Sequence, residues 1–161
     1  WEIAVMDNGT PSVMALSRQG LPLLRTDHTE ENLTSKGAYV LREADGERDV
    51  TLIATGSEVE IAMTAADILA SEGVRAAVVS APCFELFAAQ PTDYRRATLG
   101  RAPRVGVEAM IEQGWGKLLG DNSAFVGMTS FGASAPADEL YKKFGITAEA
   151  AAQAARDLLA N

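Results

Sequence analysis

Arg18 is the residue of this chain whose type and setting best suit the recognition of an anion. Ser17 and Gln19 flank it, and we predict a short strand over residues 12–16, so that Arg18 would lie at the carboxyl end of a strand. Ligands gather at such ends in open α/β sheets. A guanidinium group binds a phosphate or a carboxylate through two parallel hydrogen bonds. A salt bridge at the surface or between domains is the alternative, and spacing alone does not separate the two.

Carboxylates and a tight turn offer two weaker hypotheses. Glu108 and Glu112 are close in sequence and could form a paired-carboxylate site, but a strand end and a turn separate them. We prefer to interpret these two glutamates as acids at a helix start or at an interface. The turn at residues 55–57 could bind an anion on the helix amides that follow it. It lacks the glycine pattern of a dinucleotide-binding or P-loop motif, and Glu58 and Glu60 would repel a phosphate, so we prefer helix capping.

No complete active site is visible in the sequence. His28 is the only histidine and falls in a polar linker, where a surface or hydrogen-bonding role is the preferred interpretation. Cys83 is the only cysteine and is interpreted as a structural thiol rather than a nucleophile. One cysteine excludes an internal disulfide and a cysteine-based zinc site, and it fits a reducing compartment. We therefore assign no catalytic, cofactor-binding or metal-binding residue.

A buried strand that runs straight into a helix organises the predicted fold. Residues 50–54 form the short apolar run that a strand needs when both of its faces are covered. Ser57 is predicted to cap the helix, with Glu60 completing a capping box. The helix is predicted to run to Gly73, which suits a left-handed C-terminal position. A second strand over residues 75–80 completes a right-handed βαβ unit.

The rest of the chain continues the alternation of strands and helices. A charged, hairpin-like turn over residues 43–48 predicts that an edge strand at 39–41 runs antiparallel to this unit. Further strands are predicted at 104–108 and 124–128. Helices are predicted over residues 1–6, 91–99, 113–119, 137–144 and from a cap at Thr147 onward. The sequence thus predicts an α/β fold, a three-layer sandwich with a mostly parallel sheet of about five strands and one antiparallel edge strand.

The length, hydrophobic content and net charge of the chain exclude several classes of function. With 161 residues, of which 47% are hydrophobic, the chain can build one domain with a real core and an appendage. Its net charge of −8 argues against a general affinity for nucleic acid or anionic membranes, because either needs a basic surface. No apolar run approaches the roughly 20 residues of a membrane span. The opening residues carry no signal-peptide pattern and no initiator Met, so we expect a fragment of a longer protein.

Several blocks of sequence together resemble the later part of transketolases. The most recognisable are Leu-Ser-Arg-Gln at residues 16–19, Ala-Thr-Gly-Ser-Glu at 54–58 and Thr-Ser-Phe-Gly-Ala-Ser-Ala-Pro at 129–136. The blocks follow the family's order and cover the whole chain. The full set spans residues 15–22, 35–41, 54–59, 107–109, 114–117, 127–136 and 144–147.

The resemblance implies a specific chemistry for the parent protein. Transketolases are homodimeric enzymes of the pentose phosphate and Calvin pathways, and they depend on thiamine diphosphate and a divalent cation, Mg or Ca. They move a two-carbon ketol unit between sugar phosphates. By this resemblance Arg18 binds the substrate phosphate. Residues 1–34 correspond to the tail of the pyrimidine-binding domain and a linker, and residues 35–161 to the C-terminal domain.

The resemblance also implies that this chain alone is inactive. It lacks the family's Gly-Asp-Gly cofactor motif, the glutamate that activates the cofactor and the catalytic histidines, none of which His28 matches. We expect no bound cofactor, a packing or dimerisation role, the remainder of a cytoplasmic transketolase as partner, and no nucleic acid or membrane contact. The alternative is a free-standing small-anion-binding or regulatory module that reuses the domain.

Overall fold

A five-stranded mixed sheet forms the centre of the protein, whose computed structural model describes residues 1–7, 9–27 and 29–160. The strand order is β1-β3-β2-β4-β5; β1 runs antiparallel to β3, and the other neighbours are parallel. The strands are β1 (Tyr39–Arg42), β2 (Val50–Ala54), β3 (Ala76–Ser80), β4 (Arg104–Val107) and β5 (Ser123–Val126).

Helices cover both faces of this sheet. They are α1 (Glu2–Met6), α2 (Glu58–Ser71), α3 (Phe84–Ala88), α4 (Thr92–Leu99), α5 (Gly116–Leu119), α6 (Ala137–Phe144) and α7 (Ala148–Leu159), with a 3₁₀ turn at Leu33–Lys36. Within the described residues, no helix is both long and apolar enough to cross a membrane.

Two hydrophobic clusters hold the three layers together. All five residues of β2 are buried, and alternate side chains point to opposite faces. Leu52 packs with α2 and α7 through Leu69 and Ala151. Ile53 packs in the second cluster with Trp115, next to α5. The predicted α/β sandwich with one antiparallel edge strand is confirmed.

Trp115 is the largest side chain of the second hydrophobic cluster. Its side chain is fully buried, with its ring centroid 5.1 Å from that of Phe84 and 5.3 Å from that of Phe125. A Cβ on Gly106 of β4 would lie 2.8 Å from the Phe125 ring and 3.0 Å from the Trp115 ring. The aromatic cluster therefore depends on a strand position without a side chain, because the rings occupy that space.

The predicted hairpin between the first two strands is wrong, although the antiparallel direction is right. β1 pairs with β3, with Val40 opposite Val79, so that β3 lies between β1 and β2. Both edges of β2 are already occupied by β3 and β4. The free edge of β3 is the site that remains open for β1.

Helix ends were predicted with mixed success. Thr147 caps α7 by accepting a hydrogen bond from the Ala150 amide at 3.2 Å, as predicted, and Gly73 after α2 has the predicted positive φ, +83°. The capping box at α2 is wrong. Ser57 has helical backbone angles and makes no capping hydrogen bond, because its hydroxyl group is engaged with Glu58 and Tyr141 instead.

The first 34 residues contrast with the sheet domain. The predicted helix at the start is confirmed as α1, but the strand predicted over residues 12–16 is wrong, since no strand forms in the described residues 9–27. Val13 is 96% exposed and Leu16 is 73% exposed. Residues 12–16 have no neighbouring strand to pair with, and a high β propensity alone does not form a strand.

Candidate functional site

The segment at residues 17–19 spans the carboxyl ends of β2 and β4. Ser17 lies over the turn that follows β2, since its Oγ is 3.7 Å from where a Cβ on Gly56 would stand. Gln19 lines a cavity of about 260 Å³ together with Ala109, which follows β4. Carboxyl ends of parallel strands are where ligands bind in sheets of this type. The segment therefore reaches the expected location without the strand that was predicted to carry it.

Arg18 stands between Ser17 and Gln19 and is exposed. In the part of the chain that the structure describes, its guanidinium group forms no hydrogen bond or ion pair of the kind seen for Arg42, Arg48, Arg75 and Arg156. Among the described residues, Arg18 therefore forms no salt bridge. The group is available to an anion approaching the strand ends.

A carboxyl cluster lies under the same segment and consists of Thr55, Ser57, Glu58, Glu108 and Tyr141. The Tyr141 hydroxyl donates to Glu58 Oε1 at 2.5 Å and lies 3.0 Å from the Ser57 Oγ. Ser57 Oγ lies 3.3 and 3.4 Å from the two Glu58 carboxylate oxygens. Thr55 donates its hydroxyl to Glu108 Oε2. Hydroxyl groups are thus the hydrogen-bond donors that satisfy both carboxyl groups.

The sheet register brings the members of this cluster together. Ala54 of β2 is paired with Val107 of β4, so the next residues, Thr55 and Glu108, emerge side by side. Glu58 is the first residue of α2 and is only 3% exposed. A helix N-terminus favours a negative group, because the helix dipole is positive there. Tyr141 belongs to α6, so that a fourth element joins β2, β4 and α2 in this cluster.

Burial, with a smaller contribution from the neighbouring Glu58 carboxyl, raises the pKa of Glu108 to about 7 against the opposing hydrogen bond from Thr55. Burial, followed by the hydrogen bond to Glu58, raises the pKa of Tyr141 to about 12. Tyr141 therefore keeps its proton across the physiological range. Glu108 gains or loses its proton near neutral pH, and that is an unusual property for a carboxyl group.

The carboxyl pair that forms differs from the pair considered in the sequence. Glu108 pairs with Glu58, whereas Glu112 is exposed and belongs to the bend after β4. The pairing was missed because it depends on β2 and β4 being neighbours, which the sequence order does not reveal. The signal that could have found it is that each glutamate lies at, or just after, the carboxyl end of a predicted parallel strand.

The turn at residues 55–57 is surrounded by acids rather than cations. Glu58 Oε2 lies 3.9 Å from where a Cβ on Gly56 would stand, and Glu108 approaches from β4. Two carboxyl groups beside the turn disfavour a phosphate there, since like charges repel at short range. The predicted weakness of this anion site therefore has a structural cause.

The remaining candidate residues give no support for a catalytic site. Cys83 is partly buried, with its Sγ 3.5 Å from Glu85 Oε2, and a carboxylate neighbour does not favour a thiolate. His28 lies outside the described residues. Over residues 1–7, 9–27 and 29–160, no group of three or more histidine, cysteine or acidic side chains is arranged to bind a metal ion.

Comparisons with known proteins agree on one family. A family profile described as "Transketolase-like TK C-terminal domain" matches residues 37–147. A transketolase of Cereibacter sphaeroides is 64% identical over 157 residues, which are 98% of this chain and 24% of that protein. This chain thus spans about a quarter of the relative's length.

Solved structures share the fold. A transketolase of Pichia stipitis in complex with sedoheptulose 7-phosphate is 37% identical, with a TM-score of 0.72 over 78% of this chain and 18% of that chain. A split-gene transketolase, described as an "inactive beta4 tetramer" in the sense of subunit composition, is 25% identical. Its TM-score is 0.69 over 89% of this chain and 48% of that chain.

Proposed function

Because the chain belongs to the transketolase family through its C-terminal domain, we propose that it is the C-terminal part of a thiamine-diphosphate-dependent transketolase. The parent enzyme transfers a two-carbon ketol unit from a ketose phosphate to an aldose phosphate. The observation that carries this proposal is the 64% identity to a transketolase over 98% of this chain. The Pichia stipitis relative was solved with a sugar phosphate, which supports that substrate class.

Arg18 is the proposed recognition group for the substrate phosphate. Its exposed guanidinium group, unpaired within the described residues, lies on the segment that spans the strand ends. A charge-assisted bidentate contact to a phosphate is the interaction for which arginine is best suited. This contact is remote from the reacting carbonyl, so Arg18 binds and orients the sugar phosphate without taking part in the chemical step.

Thiamine diphosphate and its divalent cation, Mg or Ca, belong in this proposal to the remainder of the transketolase chain. The cofactor supplies the carbanion chemistry when it is bound. The residues described here do not fit a metal site, because none of their acidic, histidine or cysteine side chains cluster suitably. The split-gene relative, which covers 89% of this chain and is described as inactive, supports an inactive C-terminal part.

The domain division proposed for the parent puts residues 1–34 at the end of the pyrimidine-binding domain and 35–161 in the C-terminal domain. Large apolar side chains on the first segment are exposed, among them Trp1 at 80% and Leu23 at 80%. In the homodimeric parent they would be covered by the preceding domain or the second subunit. We assign packing and dimerisation to this part of the enzyme, and the single cysteine is in keeping with a reducing cytoplasm.

A free-standing small-anion-binding or regulatory module is the alternative, and no contact among residues 1–7, 9–27 and 29–160 favours it. The turn at residues 55–57 has Glu58 and Glu108 beside it, where such a module would need cations or free amides.

The test compares the isolated chain with the full-length parent. We expect calorimetric titration of the isolated chain with thiamine diphosphate and Mg²⁺ to give no binding at micromolar concentrations. We also expect no turnover of xylulose 5-phosphate with ribose 5-phosphate. The parent enzyme should give both signals. Turnover or micromolar cofactor binding by the isolated chain would overturn the proposal, and so would a parent that fails to transfer the ketol unit.

A further inference from the structure

We propose that the carboxyl cluster positions the segment at residues 17–19, so that Glu58 and Glu108 act as positioning residues for Arg18. On this view the protonation of the cluster sets how strongly the enzyme holds the phosphate of its substrate. The inference rests on the proposed function of Arg18. It concerns a group of side chains that the ketol transfer itself does not use.

The cluster is a rigid support because its hydrogen bonds join four elements in two pairs, the ends of β2 and β4 through Thr55 and Glu108, and α2 and α6 through Glu58 and Tyr141. Thr55 extends β2, Glu108 extends β4 and Tyr141 belongs to α6. Glu58, at 3% exposure, is the most enclosed charged side chain among them. Buried carboxyl groups persist only when donors satisfy them, and here the hydroxyl groups of Tyr141, Ser57 and Thr55 serve that purpose.

The segment that carries Arg18 borders this support at two places. At the first, a Cβ on Gly56 would lie 3.7 Å from Ser17 Oγ and 3.9 Å from Glu58 Oε2, so both groups border the same small space. At the second, Gln19 and Tyr141 line one cavity. Arg18 lies between these two places and forms no hydrogen bond or ion pair among the described residues. In this proposal, a shift of the cluster changes the position of the segment and with it that of the guanidinium group.

The charge of the carboxyl cluster affects phosphate binding in the same direction as its effect on the position of the segment. Glu58 faces Glu108 from α2, Tyr141 faces it from α6, and Arg18 lies on the segment above; Glu112 is exposed beyond the bend. Loss of the Glu108 proton puts two negative charges beside each other. They repel each other, which loosens the support, and they attract Arg18 away from a phosphate. Because burial raises the pKa of Glu108 to about 7, this second charge arises as the pH increases through neutrality.

The substrate's own ionisation works in the opposite sense. The second pKa of a phosphate monoester is near 6, so its charge increases with pH and should tighten binding to a guanidinium group. A weakening of phosphate recognition between about pH 6.5 and pH 8.5 cannot come from the substrate. It is the signature that the carboxyl cluster predicts.

The test uses the full-length enzyme and the variant Glu108→Gln. KM is measured from pH 6.5 to 8.5 for the phosphorylated pair, xylulose 5-phosphate and ribose 5-phosphate, and for hydroxypyruvate with glycolaldehyde as reference. We expect the ratio of the two KM values to increase on the order of three- to tenfold across this range in the wild-type enzyme. The ratio should stay flat in Glu108→Gln. Glu112→Gln is the matched control, because it removes a nearby exposed carboxylate and should retain the wild-type profile.

A second variant keeps the test decisive if Glu108→Gln folds poorly. Tyr141→Phe removes the hydroxyl bond to Glu58 with little change of shape, and we expect it to increase KM for the phosphorylated pair severalfold at pH 7 with the thermal midpoint recorded alongside. The inference fails if the wild-type KM ratio does not change with pH, or if Glu108→Gln and Glu112→Gln behave alike. Failure of the role proposed for Arg18 can be told apart from failure of this inference. It would appear as equal losses of kcat/KM for both substrate pairs in Arg18→Ala.

Discussion

Large apolar side chains are mostly buried in the sheet domain and mostly exposed in the described part of the leading 34 residues. In the sheet domain, β2 is buried along its whole length and the largest buried side chain, Trp115, is fully enclosed. In the leading segment, Trp1, Val13, Leu16 and Leu23 are between 73% and 96% exposed. The two regions have similar residue types but different neighbours. Residue type thus indicates which side chains should be buried, whereas the available neighbours decide which ones are.

The first prediction tests this contrast through amide hydrogen exchange on the isolated chain. The amides of residues 50–54 and 78–79 should exchange only through large-scale opening, at least about a thousandfold more slowly than unprotected amides. Those of residues 9–27 should exchange almost as fast as in an unfolded peptide, since few buried contacts hold them. Equal protection in both regions would show that the leading segment is an integral part of the fold.

The second prediction sets one tryptophan of the chain against the other. Trp115→Ala should lower the free energy of unfolding by about 3–5 kcal/mol, because it leaves a cavity between two aromatic rings. Trp1→Ala should change it by less than about 0.5 kcal/mol, as expected for an exposed side chain. Urea denaturation of the two variants measures both values. Similar losses would mean that Trp1 packs on the domain in solution.

The third prediction concerns the one exposed segment to which we assign a function. In the full-length enzyme, Arg18→Ala should lower kcat/KM for phosphorylated substrates on the order of 10- to 150-fold, since a charge-assisted hydrogen bond contributes roughly 1.5–3 kcal/mol. The loss should appear chiefly in KM if the contact is equal in ground and transition states.

The control for Arg18 is hydroxypyruvate with an unphosphorylated aldehyde. Kinetic constants for this pair should change little, because neither molecule offers a phosphate. Arg18→Lys is the matched variant: it keeps the charge but loses the bidentate fork, and an intermediate loss is expected. If phosphorylated and unphosphorylated substrates lose equally, Arg18 has a structural role in packing the segment.

Local patterns in the sequence predicted most helices and strands of the sheet domain, and contacts between distant elements decided much of the rest. The apolar run at residues 50–54, the Thr147 cap and the Gly73 helix end are local features, and each was predicted correctly. The partner of β1 was not, since pairing with β3 depends on which sheet edge stays free. The proposed site divides in the same way. Arg18 could be chosen from its own motif, whereas the Glu58–Glu108 pair required knowledge that β2 and β4 are neighbours.

The contrasting environments of the two tryptophans make this chain its own fluorescent reporter. The chain contains two tryptophans in all, with Trp115 fully enclosed by apolar groups and Trp1 80% exposed to water. An indole in apolar surroundings emits at shorter wavelength than one in water, so the two emissions separate spectrally. The short-wavelength component follows the integrity of the sheet domain. The long-wavelength component follows whatever surface comes to cover the first residues, and docking of the remaining enzyme could therefore be followed without an added label.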